Sequence, residues 1–407
     1  MKVLQVTERY LDHEIGGAQK SVQLLAEGLA RRGMQVVVCA VHESPVLDLQ
    51  KVNGVRVYKL PLGNRDRRLR NAHLGPMRAL RDHLAESFQV GSSPELSFVL
   101  EREKPDIVHS NILSGFSVSL WRTAARHNCK VVHTVRDHYL RCARSTMYKH
   151  GAKCRSVCTE CRILSLPKRV ETKRVDAVVG ISRKLLDEQL KAGYFPAARI
   201  SRVIPNSIGQ LRGAIPLTRS LPRTPVTLGF IGRLVAAKGI ELLLRELRHL
   251  DDKFRLLVAG TGNTAYVRRL HAIAGDNVTF LGKCEADAFY EKIDLLVVPS
   301  LWDEPFGRVV IEAFSFGLPV IASNRGALPE LVLPAAAGAI FDPDTPGSLA
   351  NSIQHLTCDP VTYSRFSKVA LQAAPRYSDD SVTDAYEDLY QELQGANKNQ
   401  DLCFPLS

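Results

Sequence analysis

Two successive runs of alternating strand and helix patterns predict an α/β fold built from two doubly wound parallel sheets. Three observations carry this. Short apolar segments recur from Lys2 onward and read as strands buried on both faces. Each is followed by a polar or glycine-bearing loop and an amphipathic stretch, and the β-loop-α-β order implies parallel neighbours. A stretch rich in Pro, Gly and Arg, about 208–225, separates the first run from a second that restarts at Thr227.

In order, Lys2 to Thr7 is the first strand, followed by Gly16-Gly17-Ala18 and a helix from about Gln19 to Arg32. Val22, Leu25, Ala26 and Leu29 fall on one face of that helix, Gly33 ends it, and Gln35 to Ala40 is the second strand. Glycines at the exit of a first strand allow close backbone approach, and the helix start favours a phosphate; an ordinary tight turn is the other reading of Gly16 and Gly17. Residues 64–100 are the least patterned. They carry a basic run, Arg65, Arg67, Arg68 and Arg70, then Arg78, Arg81 and His83, which is either a solvated face or a dock for an anionic membrane or a lipid diphosphate.

Asp106 to Asn111 is a short strand ending in a polar trio. His109 stands there either as a catalytic group facing a cleft or as a hydrogen-bonded edge histidine. Lys130 to Val135 is the next strand, and Arg136 at its exit could stabilise negative charge on a departing diphosphate. Cys142, Cys154, Cys158 and Cys161 follow. Four thiolates are enough for a tetrahedral structural zinc, although the spacing is not that of a standard finger, and four unlinked reduced thiols are the alternative. Asp176 to Ile181 is a strand, and Ser182 caps the helix that begins at Arg183.

In the second run, Thr227 to Ile231 is a strand, Gly232-Arg233-Leu234 its turn, and Lys238-Gly239 precedes a helix, Ile240 to Leu250. Two cations at a strand exit can hold a diphosphate and stabilise it as a leaving group. Phe254 to Ala259 is a strand leading to Gly260-Thr261-Gly262. The segment to Ala265 formally meets the dinucleotide fingerprint, but no acidic residue closes a following strand, which weighs against a dehydrogenase. After Asn277 to Leu281 comes the richest stretch, Asp294 to Val332. It holds a strand at Leu295 to Val298, a loop from Pro299 to Gly307, a helix from Arg308 to about Phe316, and a strand at Pro319 to Ala322. Glu304 lies in the loop and Glu312 two turns further on, inside an apolar helix. A carboxylate there is costly to bury without donors, which a ligand rich in hydroxyls would supply. The helix start at Phe306-Gly307-Arg308 suits a polar or anionic ligand group.

The pattern PS…EPFG…EA…G-x-PVIAS…G…PE resembles the nucleotide-sugar site of retaining glycosyltransferases of GT-B architecture, the family of bacterial mannosyltransferases and sucrose synthases. Its Glu-x7-Glu motif is met by Glu304 and Glu312. The resemblance implies two Rossmann-like doubly wound parallel-sheet domains facing a cleft: 1–207 on the acceptor side, a linker 208–225, 226–376 binding the nucleotide-sugar, and a helix 377–395 crossing back to the first domain. It implies that Glu304 contacts donor hydroxyls, that Glu312 contacts the ribose diol, and that Gly16 and Gly17 face the diphosphate or acceptor. Gly232, Arg233, Lys238 and Gly239 match the family's GR…KG, and Gly260 and Gly262 its nucleotide-side GxG. Two departures stand out. Arg136 occupies the place of a histidine in Thr-x-His-Asp, and Ser207 replaces a glycine after Ile204-Pro205-Asn206.

A chain of 407 residues with 24% charged residues and a net charge of +12 suits an anionic partner. Basic residues are not interleaved with aromatics, so nucleic acid is not expected. No apolar run spans a bilayer and no signal peptide is evident, so a cytoplasmic place is expected, peripheral at the inner membrane face if the basic run docks there. The expected activity is hexosyl transfer with retention from a nucleotide-sugar to a glycan or lipid-diphosphate-linked acceptor, in envelope or extracellular polysaccharide assembly. Nothing read from the sequence requires a catalytic metal, and structural zinc is the one cofactor weighed. The rival readings are an epimerase or hydrolase on the same fold, or a non-catalytic nucleotide-sugar-binding protein.

Overall fold

The computed structural model describes residues 1–11, 16–61, 94–209, 218–220 and 224–398. The basic run at 65–83 therefore lies outside the described residues. The chain forms two compact units. The first holds the described residues of Met1–Ser145, Ser156–Gly209 and the C-terminal stretch from Asp379; the second holds those of Thr146–Arg155 and Gln210–Ser378.

The strands, in chain order, are β1 Lys2–Val6, β2 Gln35–His42, β3 Asp48–Val52, β4 Val55–Pro61, β5 Ile107–Ser110, β6 Lys130–Val135, β7 Tyr148–Lys149, β8 Ala152–Lys153, β9 Ala177–Gly180, β10 Ile200–Val203, β11 Val226–Ile231, β12 Phe254–Ala259, β13 Val278–Gly282, β14 Leu295–Val298, β15 Val320–Ser323 and β16 Gly338–Phe341. The first unit's sheet runs β10-β9-β6-β5-β1-β2-β4-β3, parallel except for β3 against β4. Val36 to Val41 are all buried, as a strand covered by helices on both faces requires. Strands β3 and β4 were not read from sequence, although their joint, Asn53-Gly54, is the two-residue turn that favours positive φ at both positions; here φ is 50° and 84°.

The helix Gly17–Arg31 packs between β1 and β2 in sequence and ends as the glycine predicts. Gly33 has φ 85° and donates its N–H to Ala30 O at 3.0 Å, while Met34 N–H reaches Leu29 O. Ser182 caps the helix Arg183–Lys191, its Oγ accepting from Leu185 N–H at 3.3 Å. The last helix, Asp379–Lys398, belongs to the first unit. Val382, Tyr386, Leu389, Tyr390 and Leu393 recur at helical spacing and are buried with Val3, Leu25, Leu29, Val38 and Val57 in one core. Arg31 pairs with Asp379 and Arg32 with Asp384 beside them.

The second unit's sheet is wholly parallel, β13-β12-β11-β14-β15-β16. Numbered from β11, this is the order 3-2-1-4-5-6, so strand order reverses between β11 and β14, where such sheets bind ligands. Leu228, Phe230, Ile240, Leu243, Leu256, Val258, Leu295, Val297 and Ile321 fill its core. Arg219, from the expected linker, is tied to this unit: its guanidinium donates to the carbonyls of Phe316, Ile293 and Tyr290. The hairpin β7–β8, read from sequence as part of the first domain, groups with the second unit, where Lys153 stands 3.8 Å from Asp303.

Candidate functional site

Four loops meet at the C-terminal edge of the second sheet, after β11, β12, β14 and β15. Backbone packs on backbone there, which explains two of the glycines. Gly239, at φ 73°, lies so close to the β14 loop that an added Cβ would sit 1.7 Å from Pro299 O. Gly260, at φ 133°, would bring a Cβ to 1.8 Å from Gly232 O. Hydrogen bonds join the same loops, from Leu234 N–H to Thr261 O at 2.8 Å and from Leu301 N–H to Ala237 O at 2.8 Å. Gly260 and Gly262 are thus accounted for by one loop resting on another, whereas a Cβ on Gly232 would meet nothing within 4 Å.

This packing delivers Lys238 to Glu304. The ammonium and carboxylate are in direct contact, and Glu304, only 6% exposed, also accepts from Ser300 Oγ at 3.0 Å. Ser300 is fixed in turn, its carbonyl accepting from Ser323 Oγ at 2.7 Å. The Glu304 backbone is clamped as well: its carbonyl accepts from Ala327 N–H at 2.8 Å, and the neighbouring Asp303 carboxylate accepts from Gly326 N–H at 3.0 Å. Trp302 completes the group. Lys238 Nζ lies 5.5 Å from its ring centroid, and its buried indole N–H has no partner among the described residues. A buried donor without a partner is expensive, and a ligand oxygen would relieve it. Arg233, on the same loop as Lys238, is exposed, and its side chain makes no hydrogen bond or ion pair among the described residues.

Glu312 stands one helix on, with a separate set of partners. Its Oε1 accepts from Arg308 Nε at 2.6 Å and its Oε2 from the Tyr290 hydroxyl at 2.8 Å. Burial, then Glu312 itself, pushes the Tyr290 phenol well above its ordinary range, so Tyr290 stays a donor. Two of roughly four lone-pair sites on Glu312 remain for a ligand. Gly307 caps the helix Arg308–Ser315. The Phe306 side chain is buried, edge-on to Tyr377 with centroids 6.3 Å apart. The polar groups sequence reading missed are Ser300, Trp302 and Tyr290. The first two lie inside the recognised loop, but Tyr290 is remote from it in sequence and carries no signal of its own.

The first unit has its own polar group where β5 and β6 end. Arg136 is buried and donates through Nε to Asn111 Oδ1 at 3.0 Å and through Nη1 to Asn206 Oδ1 at 2.6 Å. A small pocket beside it is lined by Asn111, Ser114, His133, Arg136, Asp137 and Tyr139. Burial pushes the Asp137 carboxyl up, against the opposing pull of Tyr139 N–H, His138 and Lys168. His133 accepts or donates at Ser110 Oγ, 2.9 Å away, and burial holds its imidazole down at about 3. Gly16 is the N-cap of the helix Gly17–Arg31, in extended backbone conformation.

His109 requires a correction. The side chain is 0% exposed, with Tyr390 OH 2.6 Å from Nδ1 and Thr134 Oγ1 2.7 Å from Nε2. Burial, with Arg136 nearby, lowers its basicity far below normal. Both ring nitrogens are committed to the core, so it is the hydrogen-bonded histidine and not a catalytic one. The four thiols weighed as a zinc site are spread over both units. Cys142 and Cys161 are buried, Cys158 caps the helix Thr159–Glu171, and Cys154 groups with the other unit. Among the described residues no three His, Cys, Asp or Glu side chains are grouped to hold a metal ion. Burial, with Cys142 and Cys158 close by, pushes the Cys161 thiol up to about 12.

Residues 218–372 match the family model of glycosyl transferases group 1, and residues 16–207 match that of the glycosyl transferase 4-like domain. An uncharacterized 42.6 kDa protein in the cps region of Klebsiella pneumoniae is 35% identical over 333 residues, 81% of this chain and 87% of that protein. Sucrose-phosphate synthase from Thermosynechococcus elongatus superimposes with a TM-score of 0.75 at 22% identity, covering 97% of this chain and 99% of that one. Anabaena Alr3699/HepE in complex with UDP-glucose gives a TM-score of 0.68 at 18% identity, covering 96% of this chain and 100% of that one. At these identities the two solved structures speak for the fold alone.

Proposed function

The chain belongs to the GT-B glycosyltransferases, and we propose that it moves a hexosyl group, with retention of anomeric configuration, from a nucleotide-sugar to a glycan or lipid-diphosphate-linked acceptor. The observation that carries the reading is the Lys238–Glu304 pair at the strand-order reversal of the second sheet, with the unpartnered Trp302 indole beside it. An ion pair with a buried carboxylate is a poor stabiliser compared with apolar packing, so its presence at the strand-order reversal favours a functional role. In this reading Lys238 and Arg233 hold the diphosphate and stabilise it as it leaves. Glu304 accepts from sugar hydroxyls and Glu312 from the ribose diol. The acceptor hydroxyl attacks C1 on the face from which the diphosphate departs. The new C–O bond forms as the old one breaks, and the acceptor proton passes to the departing phosphate oxygen. The Arg136–Asn111–Asn206 group of the first unit is assigned to the acceptor side. The UDP-glucose bound to the Anabaena protein makes UDP-sugars the first donors to try. Assembly of envelope or extracellular polysaccharide is the pathway class that fits such an acceptor.

The test is incubation of purified protein with a UDP-, GDP- or ADP-sugar and a lipid-linked acceptor, with the product read by NMR. An axial donor giving an axial linkage supports the reading; an inverted linkage overturns the retaining assignment. Nucleotide released at the same rate with and without acceptor would point to the hydrolase or epimerase instead.

A further inference from the structure

The helix Thr159–Glu171 has an inward face that is firmly held and an outward face that is not covered. Inward, Cys161, Leu164, Lys168 and Glu171 are buried. Lys168 Nζ donates to Tyr139 O at 2.9 Å and sits 3.5 Å over the Tyr139 ring, while Glu171 pairs with Arg122 and Arg174. Outward, Ile163, Leu166 and Val170 are 51%, 59% and 57% exposed. At 100° per residue these three fall within an arc of about 60°. Isolated exposed aliphatics are ordinary, but three on one helical stripe are a patch. Exposed cations border it: Arg162 and Arg169 along one side, Lys173 and Arg174 just past the C-terminal end. Arg169 is exposed and is held in place by donating from Nε to Gly193 O at 3.3 Å. The one acidic residue on this face is Glu160, at the start of the helix.

We infer that this face docks the protein on an anionic lipid bilayer. Ile163, Leu166 and Val170 enter the boundary between headgroups and acyl chains, and Arg162, Arg169 and Lys173 meet lipid phosphates. Charge complementarity selects this occupant. An aliphatic stripe rimmed by cations within a chain of net charge +12 matches a negatively charged surface, whereas a second copy would set the same cations against each other. Among the described residues no helix is long and apolar enough to cross a membrane, so this contact would be peripheral. The inference goes beyond the transfer reading, and its test needs no turnover, so either can fail without the other.

The experiment is co-sedimentation of the full chain with vesicles of phosphatidylcholine alone or mixed with phosphatidylglycerol. Binding is expected to the mixed vesicles and to weaken as salt is raised. The triple substitution Ile163→Ser, Leu166→Ser, Val170→Ser is expected to reduce it at least tenfold. Arg162→Glu with Lys173→Glu should reduce it comparably, and each variant should keep the wild-type melting temperature and donor-induced thermal shift. Three results would overturn the proposal: no binding by the wild type, binding unaffected by the triple substitution, or a dimer in lipid-free buffer that the triple substitution splits into monomers.

Discussion

Lys238 and Arg233 sit on one loop but in different electrostatic settings, and substitution separates their roles. Lys238 is paired with buried Glu304, so Lys238→Ala should lose turnover by more than ~100-fold, as for other charge-stabilising groups, and also leave a buried carboxylate unpaired. Arg233 is exposed without a partner among the described residues, so Arg233→Ala should match that loss in steady-state assays while the melting temperature stays put. Retention of a third of wild-type turnover by Arg233→Ala would remove it from the leaving-group site. The buried histidines set a pH dependence. His133 titrates at about 3 in the folded chain and His109 is lowered too, so below the ordinary histidine value the unfolded chain binds protons that the folded chain refuses. The contribution of His133 is full above about 6.5 and falls with pH toward 3, by about 1.4 kcal/mol per pH unit, and His109 acts in the same direction. Denaturant melts between pH 7 and 5 should show this fall, with a shallower slope in His133→Gln.

At the scale of elements, the C-terminal helix is a structural part of the first unit. Leu389 is fully buried among β-strand and helix side chains from the start of the chain, so Leu389→Ala should cost about 2–5 kcal/mol in chemical denaturation. A loss under 0.5 kcal/mol would mean the helix is not docked as described. Its amphipathic spacing was visible in sequence, and so were most strands, because parallel strands are near-continuous apolar runs. The hairpin β3–β4 was passed over because β3 is largely exposed and polar, leaving its Asn53-Gly54 turn as the one local signal.

The whole molecule brings together residues that sequence separates. The second unit's ligand edge joins Lys238, Ser300, Trp302 and Glu304, with Tyr290 and Arg308 on Glu312. A ligand that binds this edge and not the unfolded chain must raise the melting temperature, by the equivalent of about 2.7 kcal/mol at 100 times its dissociation constant. A panel of UDP-, GDP- and ADP-sugars should therefore yield one clear upward shift, lost in Glu304→Gln. A flat panel would count against donor binding.

Periodicity and glycine placement, which are local, were enough to determine two doubly wound halves. The Glu304–Glu312 spacing and the GR…KG turn pointed to the proposed site through the family resemblance they carry. What each polar side chain does was decided by tertiary structure. His109 became a core residue because Tyr390, from the other end of the chain, takes one of its nitrogens. Gly260 proved to be a packing glycine because Gly232 lies against it. Burial and partners are properties of three-dimensional neighbours, and no spacing along one chain states them.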